Sequence, residues 1–224
     1  MAPLQSERLH QMQKISLYHA CRLQEAQVCE FSRIMKEIKD DAPYRGKCYS
    51  EVTRIIRRFH DSRDISVLDK AIETYRFSSS DSPDTQVRRH HDSIVQLLTA
   101  YRRGHAQSAL LRCPQAPTLE ARYVIPWSGI AIQGGCHVAL NGADGMVRFR
   151  YHIYSRDWSD RAKRFGVRLL AEIICHQFPE FDPDQIEGID CRTGKMIRGN
   201  FLSKPERARL DAIARIMSAT DLVG

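Results

Sequence analysis

Three residues with chemical potential stand two apart in "VRFRYHIYSR", Val147 to Arg156. Side chains of a strand alternate between its faces with a period of two. Val147, Phe149, Tyr151 and Ile153 then share one face, and Arg148, Arg150 and His152 share the other. Neighbours on such a face lie about 7 Å apart, a step comparable with that between successive phosphates of a nucleic acid strand. Arg156, Arg161, Lys163, Arg164 and Arg168 follow closely. A patch of this kind binds phosphates with strong salt dependence and little sequence selectivity. The competing reading is a covered or solvated sheet face, with the arginines paired to Asp157, Asp160 or Glu187. "DCRTGK" places Arg192 and Lys195 beside a glycine turn, which suits a phosphate grip or an ordinary tight hairpin. The expected nucleic-acid-binding set is therefore Arg148, Arg150, His152, Arg156, Arg164, Arg192 and Lys195.

Other chemistries find less support. The seven cysteines include no Cys-x2-Cys pair, and Cys21 and Cys29 are eight apart. An odd count without a secretory leader argues for free thiols packed as small apolar groups. His90 and His91 are adjacent, and no His-x3-His or His-Glu-x-x-His occurs, so no metal ligand set and no cofactor is expected. Cys136 and His137 could supply a nucleophile and a base, but adjacent strand residues face opposite ways. "IQGGCHVALNGADG" lacks the Gly-x4-Gly-Lys-Ser/Thr pattern of a phosphate loop. No catalytic residue is assigned. Trp158, ahead of a helix start, is read as a hydrophobic staple in preference to a stacking platform for a base, and Trp127 as core.

The elements that carry these residues divide the chain. Residues 1–107 read as a helical domain. Ser6 to Lys39 lacks proline and glycine and carries a broken helical stripe, and "DDAPYRGKC" interrupts it. Further helices run over Tyr49–His60, over "ISVLDKAIETYRF" after Asp64, and from Asp84 to about Gly104, with "SSSDSPD" as a loop. Residues 108–224 read as an α+β sheet domain. Strands are expected near Glu120–Trp127, Gly129–Gln133, His137–Leu140 and Met146–Ser155, with "NGADG" as a hairpin turn. A helix follows from Ser159, then two short strands around Thr193–Gly194, then a helix with a Ser203/Glu206 capping box. The fold class is α+β: an N-terminal helical bundle followed by a mixed sheet with a crossing helix.

Charge and composition narrow the partners. The formal net charge is +7, and arginine carries most of it. Arginine suits bidentate phosphate recognition, so the balance leans toward a polyanion such as DNA or RNA. A GC-rich genome also enriches arginine. The excess is +4 over residues 1–107 and +3 over 108–224, so it is no basic tail. No run reaches the ~20 apolar residues of a membrane span, and the N-terminus lacks the pattern of a signal peptide. The expected setting is cytoplasmic, without membrane contact.

The strand and helix order over Glu120 to Arg198 resembles the core of the PD-(D/E)XK nuclease superfamily. "GGCHVAL" stands at the place of that family's first metal-binding acid, "RFRYHIY" at its acid-x-Lys strand, and "GIDCRTGK" at its closing hairpin. The departures are chemical. His137 falls where the first acid belongs, and Arg148, Arg150 and His152 offer no carboxylate. A Mg²⁺ site needs oxygen ligands, so the resemblance implies a degenerate, bacterial-type pseudo-nuclease. The leading expectation is non-catalytic nucleic-acid binding through the basic strand face. The alternatives are a protein–protein adaptor or accessory subunit acting through its N-terminal helices, and a nuclease-like metal enzyme using acids such as Asp144, Glu172 or Asp190.

Overall fold

The computed structural model describes residues 12–39, 47–105, 110–155 and 158–221. The expected break at Pro43 and Gly46 lies outside them, as does Arg156 of the expected binding set. Helices and two mixed sheets make an α+β protein. Among the described residues no helix is long and apolar enough to cross a membrane.

The N-terminal stretch departs from the single helical reading. Lys14–Ser16 is a strand, β1, which pairs in parallel with β3 (Ile130–Gly134). Ile15 fixes it there, buried in the core. Ser16 then caps α1 (Leu17–Glu25) by accepting the backbone N–H of His19 at 3.2 Å. A second helix, α2 (Val28–Lys39), follows a break at Ala26 and Gln27. Capping by Ser16 is a local signal, but the parallel partner lies more than a hundred residues away, where helical periodicity is blind to it.

Three helices form the bundle proper: α3 (Lys47–Ser62), α4 (Ser66–Asp81) and α5 (Thr85–His105). The serine run belongs mostly to α4 and not to a loop. Ser80 Oγ donates back to the Arg76 carbonyl at 3.1 Å, and Ser79 Oγ donates to Asp92 of α5 at 2.6 Å. Asp84 caps α5 through the N–H of Gln86 at 2.7 Å. Gly104 stands at the C-terminal end of α5, one residue before its last, as expected. A Cβ there would stand 2.8 Å from the carbonyl oxygen of Gly194, so glycine lets the helix meet a hairpin turn.

A short helix α6 (Ala116–Leu119), unmarked in the sequence, leads into β2 (Tyr123–Trp127). Ser128 (φ 45°) and Gly129 (φ 92°) turn the chain into β3, and the first sheet is ordered β1-β3-β2. The second sheet holds β4 (Val138–Asn141), β5 (Val147–Ile153), β6 (Ile186–Asp190) and β7 (Met196–Arg198), in that order. β4 and β5 form the expected hairpin, and Gly145 (φ 78°) stands in its turn. α7 (Asp160–Gln177) crosses from β5 to β6, which are parallel. Ser159 caps it by accepting the N–H groups of Arg161 and Ala162 at 3.1 Å. At the start of α8 (Lys204–Asp221) Glu206 makes its half of the expected capping box, accepting the Ser203 N–H at 2.8 Å, and it also accepts the Ser203 hydroxyl at 2.6 Å.

Two apolar cores cover the two faces of the second sheet. Phe149, Ile153 and Ile186 join Phe165, Leu169 and Leu170 of α7, together with Ile15, Leu17 and Ile34 from the N-terminal segment. Val138, Leu140 and Ile189 on the other face join Phe59, Leu68, Leu97 and Tyr101 of the bundle. Both cores thus draw on residues from either side of residue 107.

Candidate functional site

The alternation read in β5 is present, and the bundle lies over its basic face. Arg150 is 2% exposed and His152 is 1% exposed. Arg150 and Glu187 are register partners on adjacent strands, and their side chains form an ion pair. The Arg150 Nη1 donates to the Tyr101 hydroxyl of α5 at 3.1 Å. That hydroxyl also meets His60 Nε2 at 2.6 Å, and His60 Nδ1 meets the Leu110 carbonyl at 2.7 Å. A carbonyl only accepts, so His60 donates from Nδ1, and its Nε2 accepts the Tyr101 proton. The chain of bonds runs on to Arg150 without a missing donor. Burying a guanidinium is tolerable only with such partners. The expected continuous, solvent-facing strip Arg148–Arg150–His152 is therefore absent, because α5 stacks on it.

The remaining expected residues separate. Arg148 reaches Asp144 and the Asp184 carbonyl. Arg192 donates to the Tyr154 carbonyl at 2.9 Å. Arg164 and Lys195 do meet, around a surface hollow of about 240 Å³ that also holds Lys163 and Arg198. Lys195 is bound there to Asp160 at 3.0 Å and Lys163 to Asp190 at 2.9 Å, which lowers the surplus of positive charge. The three acids considered for metal chemistry also stand apart. Asp144 pairs with Arg148, Glu172 with Arg207, and Asp190 with Lys163. Among the described residues no three His, Cys, Asp or Glu side chains are grouped to hold a metal ion.

A larger cleft, about 1080 Å³, opens where β5 ends and the chain passes between the two sheets. Its position depends on Gly134 and Gly135. A Cβ on Gly135 would lie 2.3 Å from the Ala121 carbonyl oxygen, so only glycine lets the chain pass this close to the start of β2. The crossing turns Cys136 inward, with its thiol on the Leu119 carbonyl at 3.3 Å, and places His137 on the cleft wall. Burial pushes the Cys136 thiol far above its ordinary range, so it is no thiolate at neutral pH.

His137 is the centre of this wall. Its ring stacks on that of His152, with centroids 5.1 Å apart and planes 7° from parallel. Its Nδ1 accepts the backbone N–H of His152 at 2.9 Å. Burial, and then the nearby Arg57 and Arg122, hold its imidazole down at about 3. The ring is neutral, and its proton sits on Nε2. Beside it His152 Nδ1 meets the Tyr154 hydroxyl at 3.1 Å, which meets Thr53 of α3 at 2.7 Å.

Cations and aromatic rings fill out the lining. Arg57 of α3 donates from Nε to the His137 carbonyl at 2.9 Å and lies 3.0 Å from Glu120. Glu120 is almost closed off from solvent, with its side chain 3% exposed. It accepts both Arg112 donors at 2.8 Å and the Ala139 N–H at 3.1 Å. Arg122 and Lys14 are exposed on the walls, and Glu37 is bound to Arg22. Tyr49 stacks on Tyr154 at 4.7 Å and Tyr18 on Trp158 at 5.7 Å, while Tyr151 lies against His137 at 4.7 Å. Trp158 is buried against α7, near Gly166, and is no free platform. Tyr18 and Tyr49 are half-buried on the cleft wall.

Of these wall residues the sequence singled out Cys136, His137, His152 and Trp158, and it read Arg57 as part of the ordinary charged face of an amphipathic helix. Arg57, Arg122, Tyr18 and Tyr49 carry no motif, since they come from elements far apart in the chain. The Gly-Gly before His137 was the available sign of a close backbone approach. No family model matches this chain, and neither a curated protein nor a solved structure does so.

Proposed function

We propose that this protein binds single-stranded nucleic acid in the cleft at the end of β5 and does no chemistry on it. The observation that supports this is the mixed lining: tyrosine faces beside arginine and lysine in a trough of about 1080 Å³. Base stacking on an aromatic ring contributes about 1–3 kcal/mol per base and tolerates any sequence. Cations along the same wall neutralise the backbone. The wall acids Glu37 and Glu120 are already held by Arg22, Arg112 and Arg57, so the exposed charges of Arg122 and Lys14 are left to a ligand.

The test is fluorescence anisotropy with labelled single- and double-stranded DNA and RNA, from about 50 mM to about 200 mM salt. Binding should prefer single strands and weaken steeply with salt. Tyr49→Ala and Arg122→Glu should each reduce it, and Arg164→Glu with Arg198→Glu should not. Absence of binding at low salt removes this reading. Binding lost only with the Arg164/Arg198 pair moves the site to the hollow beside α7.

A further inference from the structure

We propose a phosphate anchor at the end of β5, in which the His137 Nε2–H and the guanidinium groups of Arg57 and Arg122 take one phosphoryl group. The inference deepens the nucleic-acid reading above and rests on it for the source of the phosphate. Three separate elements supply the donors: α3, the connection from α6 to β2, and the crossing from β3 to β4.

Each donor is fixed or free in the way a phosphate requires. His137 spends its Nδ1 lone pair on the His152 N–H, so the neutral ring offers a donor and cannot take a proton from the ligand at Nε2. Nε2 has no partner among the described residues. Both contacts of Arg57 use Nε, which leaves the terminal Nη1 and Nη2 donors. The Nε bond to the His137 carbonyl also locks the two groups side by side. Arg122 stands exposed on the same wall and shares no hydrogen bond or ion pair with a described residue. A tetrahedral phosphate has enough acceptors for three such donors, and arginine forks match its geometry. Glu120 does not oppose the anion in the open, because Arg112 and the Ala139 N–H enclose its carboxylate. The adjacent Tyr151 and Tyr49 faces suit a base attached to the same phosphate.

The experiment uses the full chain with ¹⁵N-labelled histidine, followed by NMR. His137→Asn assigns the His137 signals, since the Asn Oδ1 can replace Nδ1 as acceptor for the His152 N–H. The free protein should show His137 as the Nε2–H tautomer. Inorganic phosphate should move its Nε2 and Nε2–H signals, and chloride at the same ionic strength should not. Arg122→Ala should weaken the phosphate response about tenfold, the loss expected for one charge-assisted hydrogen bond. An Nδ1–H tautomer, an equal response to chloride, or a phosphate affinity untouched by Arg122→Ala overturns the anchor, whether or not oligonucleotides bind elsewhere. A clear phosphate response together with no oligonucleotide binding upholds the anchor. It then removes the nucleic-acid reading and assigns the cleft to a small phosphorylated ligand.

Discussion

Arg150 has a charge that its position turns inward. Its partners are Glu187 across the strand and Tyr101 from α5, and its side chain is 3% exposed. Arg150→Ala should therefore destabilise the fold by about 3–5 kcal/mol, because it breaks a buried pair, leaving Glu187 (side chain 16% exposed) without its cation and Tyr101 without its donor. Urea unfolding monitored by circular dichroism measures this. A loss below about 0.5 kcal/mol, as for an ordinary surface site, would contradict the buried pairing. A charge reversal at Arg150 reads folding before it reads binding, so it is a poor probe of any ligand. His137 gives a second prediction with a definite sign. Its folded imidazole stays neutral down to about 3, while the unfolded group titrates near 6.5. Below pH 6.5 the unfolded chain binds more protons, so stability falls by at most about 1.4 kcal/mol per pH unit. The groups around it are Arg57, Arg122, Glu120, Tyr151, His152 and Tyr154. His137→Asn removes this proton linkage. Thermal melts between pH 7 and pH 5 should show the variant losing less stability than the parent. Parallel losses would mean that the ring is accessible to protons in the folded state.

At the scale of elements, local signals were the legible ones. The caps at Ser159, Asp84 and Ser203, the "NGADG" turn and the Asp190–Lys195 hairpin each rest on residues within a few positions of one another. β1 shows the opposite case. Three residues become a strand because β3 offers an edge, although their neighbours read as helix. The crossing at Gly134–Gly135 is equally non-local in origin, since the obstacle is the Ala121 carbonyl. Gly135→Ala places a Cβ against that oxygen and should displace both the start of β4 and His137. The expected outcome is a loss of about 1–3 kcal/mol, with the His137 imidazole signals shifted in ¹⁵N-histidine spectra. Unchanged stability and signals would show that the crossing has room to spare.

For the whole molecule, the second sheet is the shared floor of both cores. A fragment of residues 108–224 would keep its strands β2–β7 but lose β1, α1 and the helices over Val138, Leu140 and Ile189. It should expose that apolar face, bind the dye ANS and lack a sharp near-ultraviolet spectrum, as loosely packed states do. A fragment that melts cooperatively with native-like near-ultraviolet signal would instead show an independent domain. The net charge of +7 is likewise a property of the whole, while Arg57, Arg112, Arg150, Arg168 and Arg207 are held in ion pairs with Glu120, Glu187, Glu206 and Glu172.

By itself the sequence determined the α+β class, most helices and strands, and which residues of β5 share a face. Those features follow from period, turn chemistry and capping, all of which act over a few residues. Tertiary structure alone decided that the basic face is roofed by α5, that Lys14–Ser16 is a strand, and that His137, Arg57 and Arg122 meet on one wall. A period of two states that Arg148, Arg150 and His152 look the same way. It contains no information about what they look at, because the covering helix is placed by the burial of Val138, Leu140 and Ile189, a condition that no short stretch of chain carries.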